Sequence, residues 1–153
     1  MSEHRVSVEW QLAGEFNYET YSRSHTIDFG RKIRVLGNAS PENVPRTAAG
    51  VPGVDPEQAF VAAISACHML WFLHVACTGK FVVERYSDEA SGVLEKNTEG
   101  KEAVTRVTLR PAVAFSGPLP TPEQFAQLHE KAHQLCFIAN SVKSKILLEL
   151  RIA

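Results

Sequence analysis

The residues of this chain most able to carry chemistry are its three cysteines, Cys67, Cys77 and Cys136. A thiolate can attack a peroxide oxygen, become a sulfenic acid and condense with a second thiol. Those steps need two thiols within disulfide reach and a cation that favours the thiolate. The plain alternative for each is a small buried hydrophobe, because free cysteine is among the most buried residue types. A second constellation competes with the thiols. His129-Glu130-Lys131-Ala132-His133 spells H-E-x-x-H on an expected helix, a pattern in which two histidines hold zinc and the glutamate acts as base. Only 20 residues follow His133, too few for a third ligand and a cleft to be comfortable. The pattern is also short enough to arise by chance, and no metal is expected.

Composition narrows the classes. Hydrophobic residues make up 44% of the 153-residue chain, enough for a packed core, and a single domain over residues 1–153 is expected. Lys plus Arg number 16 against 17 for Asp plus Glu, so there is no basic surplus to grip nucleic acid or an anionic membrane. The odd cysteine count does not suit a secreted disulfide scaffold, and Met1–Val8 has no apolar stretch behind a basic flank. The expectation is a cytoplasmic protein. Residues 58–79 contain no Asp, Glu, Lys or Arg and are long enough to span a bilayer. They also contain Ser65, Cys67, His68, His74 and Cys77, and their flanks are Glu57 and Lys80 rather than a basic cluster. A helix buried on all sides, in a soluble protein or a dimer, is the better reading.

The elements that must position these residues follow from periodicity. Alternating Val6, Val8, Trp10 and Leu12 predict a strand over 5–12, and the aromatic- and Thr-rich run 16–29 a strand or hairpin arm. Ile33 and Val35 mark a third strand, and residues 37–55 a long Gly/Pro-rich loop. A first helix begins at Pro56 behind the cap Asp55, with Gln58 completing a capping box, and ends at Gly79. Strands follow over 81–86, 92–96 and 103–115. A second helix begins after Thr121 and reaches about Cys136, and a last strand covers 145–152. Strand runs punctuated by two helices predict an α+β fold. At ~100° per residue, Cys67 shares a stripe with Phe60, Ile64, Trp71 and His74. On the second helix the buried stripe is Phe125, Leu128, Ala132, Leu135 and Cys136, with His129 and His133 at its border.

At these residues the chain resembles a known family. Asp55-Pro56-Glu57-Gln58-Ala59-Phe60-Val61-Ala62-Ala63-Ile64-Ser65-Ala66-Cys67-His68-Met69 is similar to the first-cysteine helix of the OsmC/Ohr family, the osmotically inducible protein C and organic hydroperoxide resistance proteins. Leu128-His129 through Ala132-His133-Gln134-Leu135-Cys136-Phe137-Ile138-Ala139-Asn140-Ser141 resembles its second-cysteine segment, so the H-E-x-x-H string becomes incidental. Motif separation, chain length and strand order agree, and the resemblance covers nearly the whole chain. Three features depart from it. Phe137 follows the second cysteine where better-known peroxidases of the family have proline, His68 follows the first cysteine, and the 37–55 loop is long.

The resemblance implies antiparallel sheets packed on two central helices in an intertwined homodimer. It implies thiol-dependent reduction of organic hydroperoxides without a bound cofactor, with an external dithiol, lipoyl in type, as reductant. Cys67 would be the peroxidatic and Cys136 the resolving cysteine. Glu57 matches the family glutamate, and Arg23, in Tyr21-Ser22-Arg23-Ser24-His25, the family arginine that steadies thiolate and peroxide oxygen. Phe60, Ile64 and Trp71 would offer an apolar surface to an alkyl peroxide. Ten residues separate Glu57 from Cys67, ~15 Å along a straight helix, so a Glu57 serving that thiol is expected from the partner chain. Two other readings stand beside this one: a non-catalytic dimer binding an apolar ligand, and a zinc hydrolase at His129, Glu130 and His133.

Overall fold

The computed structural model describes residues 1–48 and 50–152. The chain forms two compact units, Met1–Ala59 and Phe60–Ala153. The first holds an antiparallel sheet of β1 (Ser7–Glu9), β2 (His25–Asp28) and β3 (Arg34–Gly37), in that order. These strands are shorter than alternation predicts. Between β1 and β2 the aromatic side chains turn toward one another: Phe16 lies 4.9 Å from Tyr21 and 6.0 Å from Trp10, ring centre to ring centre. Asn17 closes a turn there, its Oδ1 accepting from Glu19 N and its carbonyl from Tyr21 N. After β3 the long loop folds back on the strand through a parallel bridge between Gly37 and Val54. Gly53 permits this, since a Cβ there would meet Gly37 C and Leu36 O at 2.9 Å. At the end of this unit the predicted capping box forms, with Gln58 N donating to Asp55 Oδ1 at 2.7 Å.

That box opens α1 (Pro56–Thr78), which runs on into the second unit. There it meets β4 (Val82–Asp88), β5 (Ser91–Lys96), β6 (Glu102–Leu109), β7 (Pro111–Ser116), α2 (Pro122–Leu135), β8 (Lys145–Leu148) and β9 (Arg151–Ile152). One sheet has the order β4-β7-β9 and the other β5-β6-β8. The pairs β6–β8 and β7–β9 are parallel, so the sheets are mixed rather than antiparallel throughout. The α+β class holds.

The single strands expected over 103–115 and 145–152 are each two strands in different sheets. The first break falls at Arg110, whose N–H leaves the ladder and donates to Asp88 Oδ1 at 2.6 Å, and Pro111 adds no donor of its own. The second falls at Glu149 and Leu150. Glu149 N donates to Leu109 O at 2.9 Å, and its carboxylate accepts from Arg110 Nε at 2.9 Å. Both strands therefore change sheet at one corner, which alternation alone cannot signal.

α1 serves both sheets. Ile64 packs with Val107 and Leu109 in one buried cluster, and Phe72, Val75 and Ala76 pack with Val113, Phe125, Leu128 and Ala132 in the other. It is long and apolar enough to cross a membrane, yet its buried positions contact strands and α2. Within one chain burial is not complete: Ala62, Ala63, Ala66, Leu70, His74 and Cys77 are exposed, so burial on all sides would need a partner chain. They occupy one arc of about 120°. Asp88 ties α1 to the strand corner, accepting from Ser65 Oγ at 2.5 Å on one oxygen and from Arg110 N on the other. Asp88→Ala removes two bonds to a charged acceptor and strands the Arg110 N–H. We expect a loss of about 3 kcal/mol in urea unfolding, against about 1 kcal/mol for Ser65→Ala.

Candidate active site

Two thiols meet where α1 and α2 pack. Cys67 is half-buried at one edge of the exposed arc of α1, and Cys136 is fully buried in the residue that closes α2. Cys67 is close enough to act on the Cys136 thiol, and both are free thiols. Burial pushes the Cys136 thiol up to about 11, and the neighbouring Cys67 adds to the shift. Cys136 thus keeps its proton at neutral pH, and of the two, the half-exposed Cys67 is the one a solute can reach.

The turn after α2 fixes Cys136. Its Sγ accepts from Ala139 N at 3.4 Å and its carbonyl from Asn140 N at 3.0 Å. Asn140 Nδ2 reaches back to Gln134 O at 3.0 Å. Phe137, 68% exposed, stands edge-on to Trp71 at 5.2 Å. Trp71 is one helical turn beyond Cys67. Phe60 is half-buried beside Ile64, which is fully buried in the cluster with Val107 and Leu109. Cys77 is exposed near the end of α1.

Arg23 and Glu57 belong to the first unit. Arg23 donates to Tyr21 O and Tyr18 O, both at 2.7 Å, and its guanidinium lies 3.7 Å from the Tyr21 ring centre. Among the described residues it forms no ion pair with a carboxylate. Glu57 is half-buried in the first turn of α1.

The border position expected for His129 is corrected by the structure. The residue is fully buried, and its Nδ1 lies 3.0 Å from Nε2 of His68, which is equally buried. The rings are 7° from parallel. Leu135, expected in the buried stripe, is instead exposed. Burial lowers His129 to about 3, with His68 adding to the shift; burial lowers His68 to about 4, with His133 adding and Asp88 opposing. Both rings are therefore neutral at pH 7. This pair is the feature that sequence reasoning passed over. Its signal is the seven-residue step from His129 to Cys136, which puts both on one helix face. The same contact works against a zinc site: His129 is engaged with His68, and Glu130 is exposed and accepts from Gln134 Nε2 at 2.9 Å. Among the described residues no three His, Cys, Asp or Glu side chains are placed to hold a metal ion.

Comparison with known proteins bears on the family and the fold. A family model described as OsmC-like protein matches residues 48–151. An OsmC-like protein of unknown function from Vibrio cholerae is 46% identical, with 98% of this chain and 99% of that chain covered and a TM-score of 0.93. An organic hydroperoxide resistance protein from Elizabethkingia anophelis shares 19% identity, covering 99% and 97% of the two chains at a TM-score of 0.68. The organic hydroperoxide resistance protein OhrB of Bacillus subtilis shares 20%, covering 97% and 98% at 0.62. At those identities the last two show a common fold. No curated protein matches the chain.

The histidine pair predicts an acid-labile fold. Both folded-state values lie below the ordinary 6.5, so the unfolded chain binds more protons below that pH. Stability is undiminished above about pH 6.5 and falls as pH drops toward 4. Asp88 and His133 are the titratable groups facing His68 and set how steep the fall is. Between pH 7 and 5 each ring should remove up to about 2 kcal/mol. Urea midpoints over this range should fall in the natural protein and flatten in the His68→Leu/His129→Leu variant.

Proposed function

The chain belongs to the OsmC-like protein family, and on that footing we propose that it is a thiol peroxidase reducing organic hydroperoxides, alkyl or fatty-acid, to alcohols. The observation that carries this reading is the convergence of Cys67 and Cys136 in two different states, one half-exposed and one buried and protonated. A Cys67 thiolate attacks the distal peroxide oxygen. The sulfur–oxygen bond forms, the oxygen–oxygen bond breaks, and the alkoxide leaves as alcohol after taking a proton. Cys136 then attacks the Cys67 sulfenic acid, its proton leaves with the hydroxyl as water, and a disulfide remains. An external dithiol, lipoyl in type, exchanges with that disulfide and resets both thiols.

The surface beside Cys67 suits an alkyl chain. Ala63 and Leu70 are exposed on α1 one turn to either side, and Trp71 and Phe137 stand next to them. Phe60 and Ile64 support this surface from behind, with Ile64 as packing rather than lining. The family resemblance assigns Arg23 the role of steadying the thiolate and the peroxide oxygen, and Glu57 that of orienting the guanidinium. The active form is a cytoplasmic homodimer, and the exposed apolar arc of α1 around Leu70 supports a partner chain there.

Cys67→Ser should abolish consumption of cumene hydroperoxide, whereas Cys136→Ser should complete one turnover and leave a sulfenic acid that dimedone traps. Undiminished turnover in Cys67→Ser would overturn the mechanism. Arg23→Gln should slow the first step by about 100-fold in stopped-flow measurements. Peroxide treatment that leaves no Cys67–Cys136 disulfide on non-reducing mass spectrometry would favour the binding dimer instead. Light scattering should give about twice the 16.9 kDa chain mass.

A further inference from the structure

We propose that the His68–His129 hydrogen bond is a register pin that holds α1 and α2 so that Cys67 and Cys136 can close into a disulfide. His68 and His129 are then positioning residues for the resolving step of the reaction proposed above, and the inference rests on that reading. The two contacts join the same two helices. Cys67 and His68 are consecutive on α1, and His129 and Cys136 lie seven residues apart on one face of α2. Much of the remaining contact between these helices is apolar, as where the Phe72 ring meets Phe125 at 6.0 Å. Apolar contact is non-directional and lets packed helices slide, whereas a hydrogen bond between two buried rings has one good distance and one good angle.

The rings are held accordingly. They are nearly coplanar, joined nitrogen to nitrogen at 3.0 Å, so the N–H of one lies along the lone pair of the other. His129 is also gripped by Phe72, stacked at 4.1 Å, and by Phe125, edge-on at 4.7 Å. Among the described residues the outer nitrogens, His68 Nδ1 and His129 Nε2, are buried with no hydrogen-bond partner. A pair of leucines would avoid that desolvation, so stability alone is a poor reason for the histidines to be there. Fixing register is the best-attested use of such buried polar pairs. A disulfide is a demanding customer for register, because its Cα separation and dihedral tolerate little error. One residue of slip along a helix is ~1.5 Å. In the step concerned, Cys136 sulfur bonds to Cys67 sulfur, the sulfur–oxygen bond of the sulfenic acid breaks, and the thiol proton leaves in water. No outside oxidant or reductant takes part.

The test compares the natural protein with His129→Leu and His129→Asn. After one equivalent of cumene hydroperoxide, sulfenic acid should form at the natural rate in all three. In His129→Leu the disulfide should close at least about tenfold more slowly and dimedone should trap correspondingly more Cys67. His129→Asn, which keeps a polar partner for His68, should recover much of the natural rate and reads the proposal should the leucine variant not fold. Loss of closure rate without loss of urea stability is a result that a merely structural role would not produce. Capture of phenylarsine oxide, which needs two adjacent thiols and no peroxide, should weaken in parallel. Closure and arsenical capture at natural levels in a folded His129→Leu would overturn the pin. A natural protein that captures the arsenical but forms no sulfenic acid with peroxide would overturn the peroxidase reading instead, leaving the arsenical comparison to decide the pin.

Discussion

One apolar helix has to satisfy two sheets at once. Toward its start α1 offers Ile64 to the cluster on β6, and further along it offers Phe72, Val75 and Ala76 to the cluster on β7 and α2. The polar side chains on its inner side fall between those two demands. Ser65 reaches Asp88 and His68 reaches His129, and both lie between the residues that anchor each cluster. α1 therefore keeps these two hydrogen-bonding side chains at the seam where one sheet gives way to the other. Cys67 sits at that level too, at the edge of the outward arc. Its half-exposure follows from where the seam is and from the 3.6-residue period, without any special loop.

What the sequence made legible was governed by short-range rules. Both helix starts obey capping chemistry that involves residues three apart, so Asp55 with Gln58 and Thr121 with Gln124 could be read directly. Helical projection put Cys136 on the buried side of α2 but also counted Leu135, which is exposed, and the family motifs named the pair. The strand corner was not legible. Residues 103–115 alternate well on both sides of Arg110, and what divides them is a carboxylate more than twenty residues away, Asp88, taking the Arg110 N–H. The N-terminal strands are shorter than their alternation suggests because aromatic residues that favour strands pack on one another instead, as Trp10, Phe16 and Tyr21 do.

The histidines illustrate a different limit. Read along one helix, His129 and His133 suggest a metal. Read across two helices, His129 belongs with His68, and the partner that changes its meaning is 61 residues distant. Buried imidazoles are ambiguous in sequence because the residue serves as ligand, base and packing group alike. Here the neighbouring phenyl rings and the shared hydrogen bond make a neutral pair, and two free thiols lie beside it.

The parallel pairing of β8 with β6 also bears on how the molecule assembles. Arg106 and Lys145 meet across a connection of about 40 residues that contains the whole of α2. Closing so long a segment must precede the contacts that reward it, which makes this the slow part of folding. α1 and the β5–β6 hairpin are local and need not wait. A chain emerging from synthesis would thus carry Cys67 on a formed helix, uncovered, for an interval before Cys136 is delivered to it. Over that interval the first thiol is open to irreversible oxidation with no second thiol to rescue it.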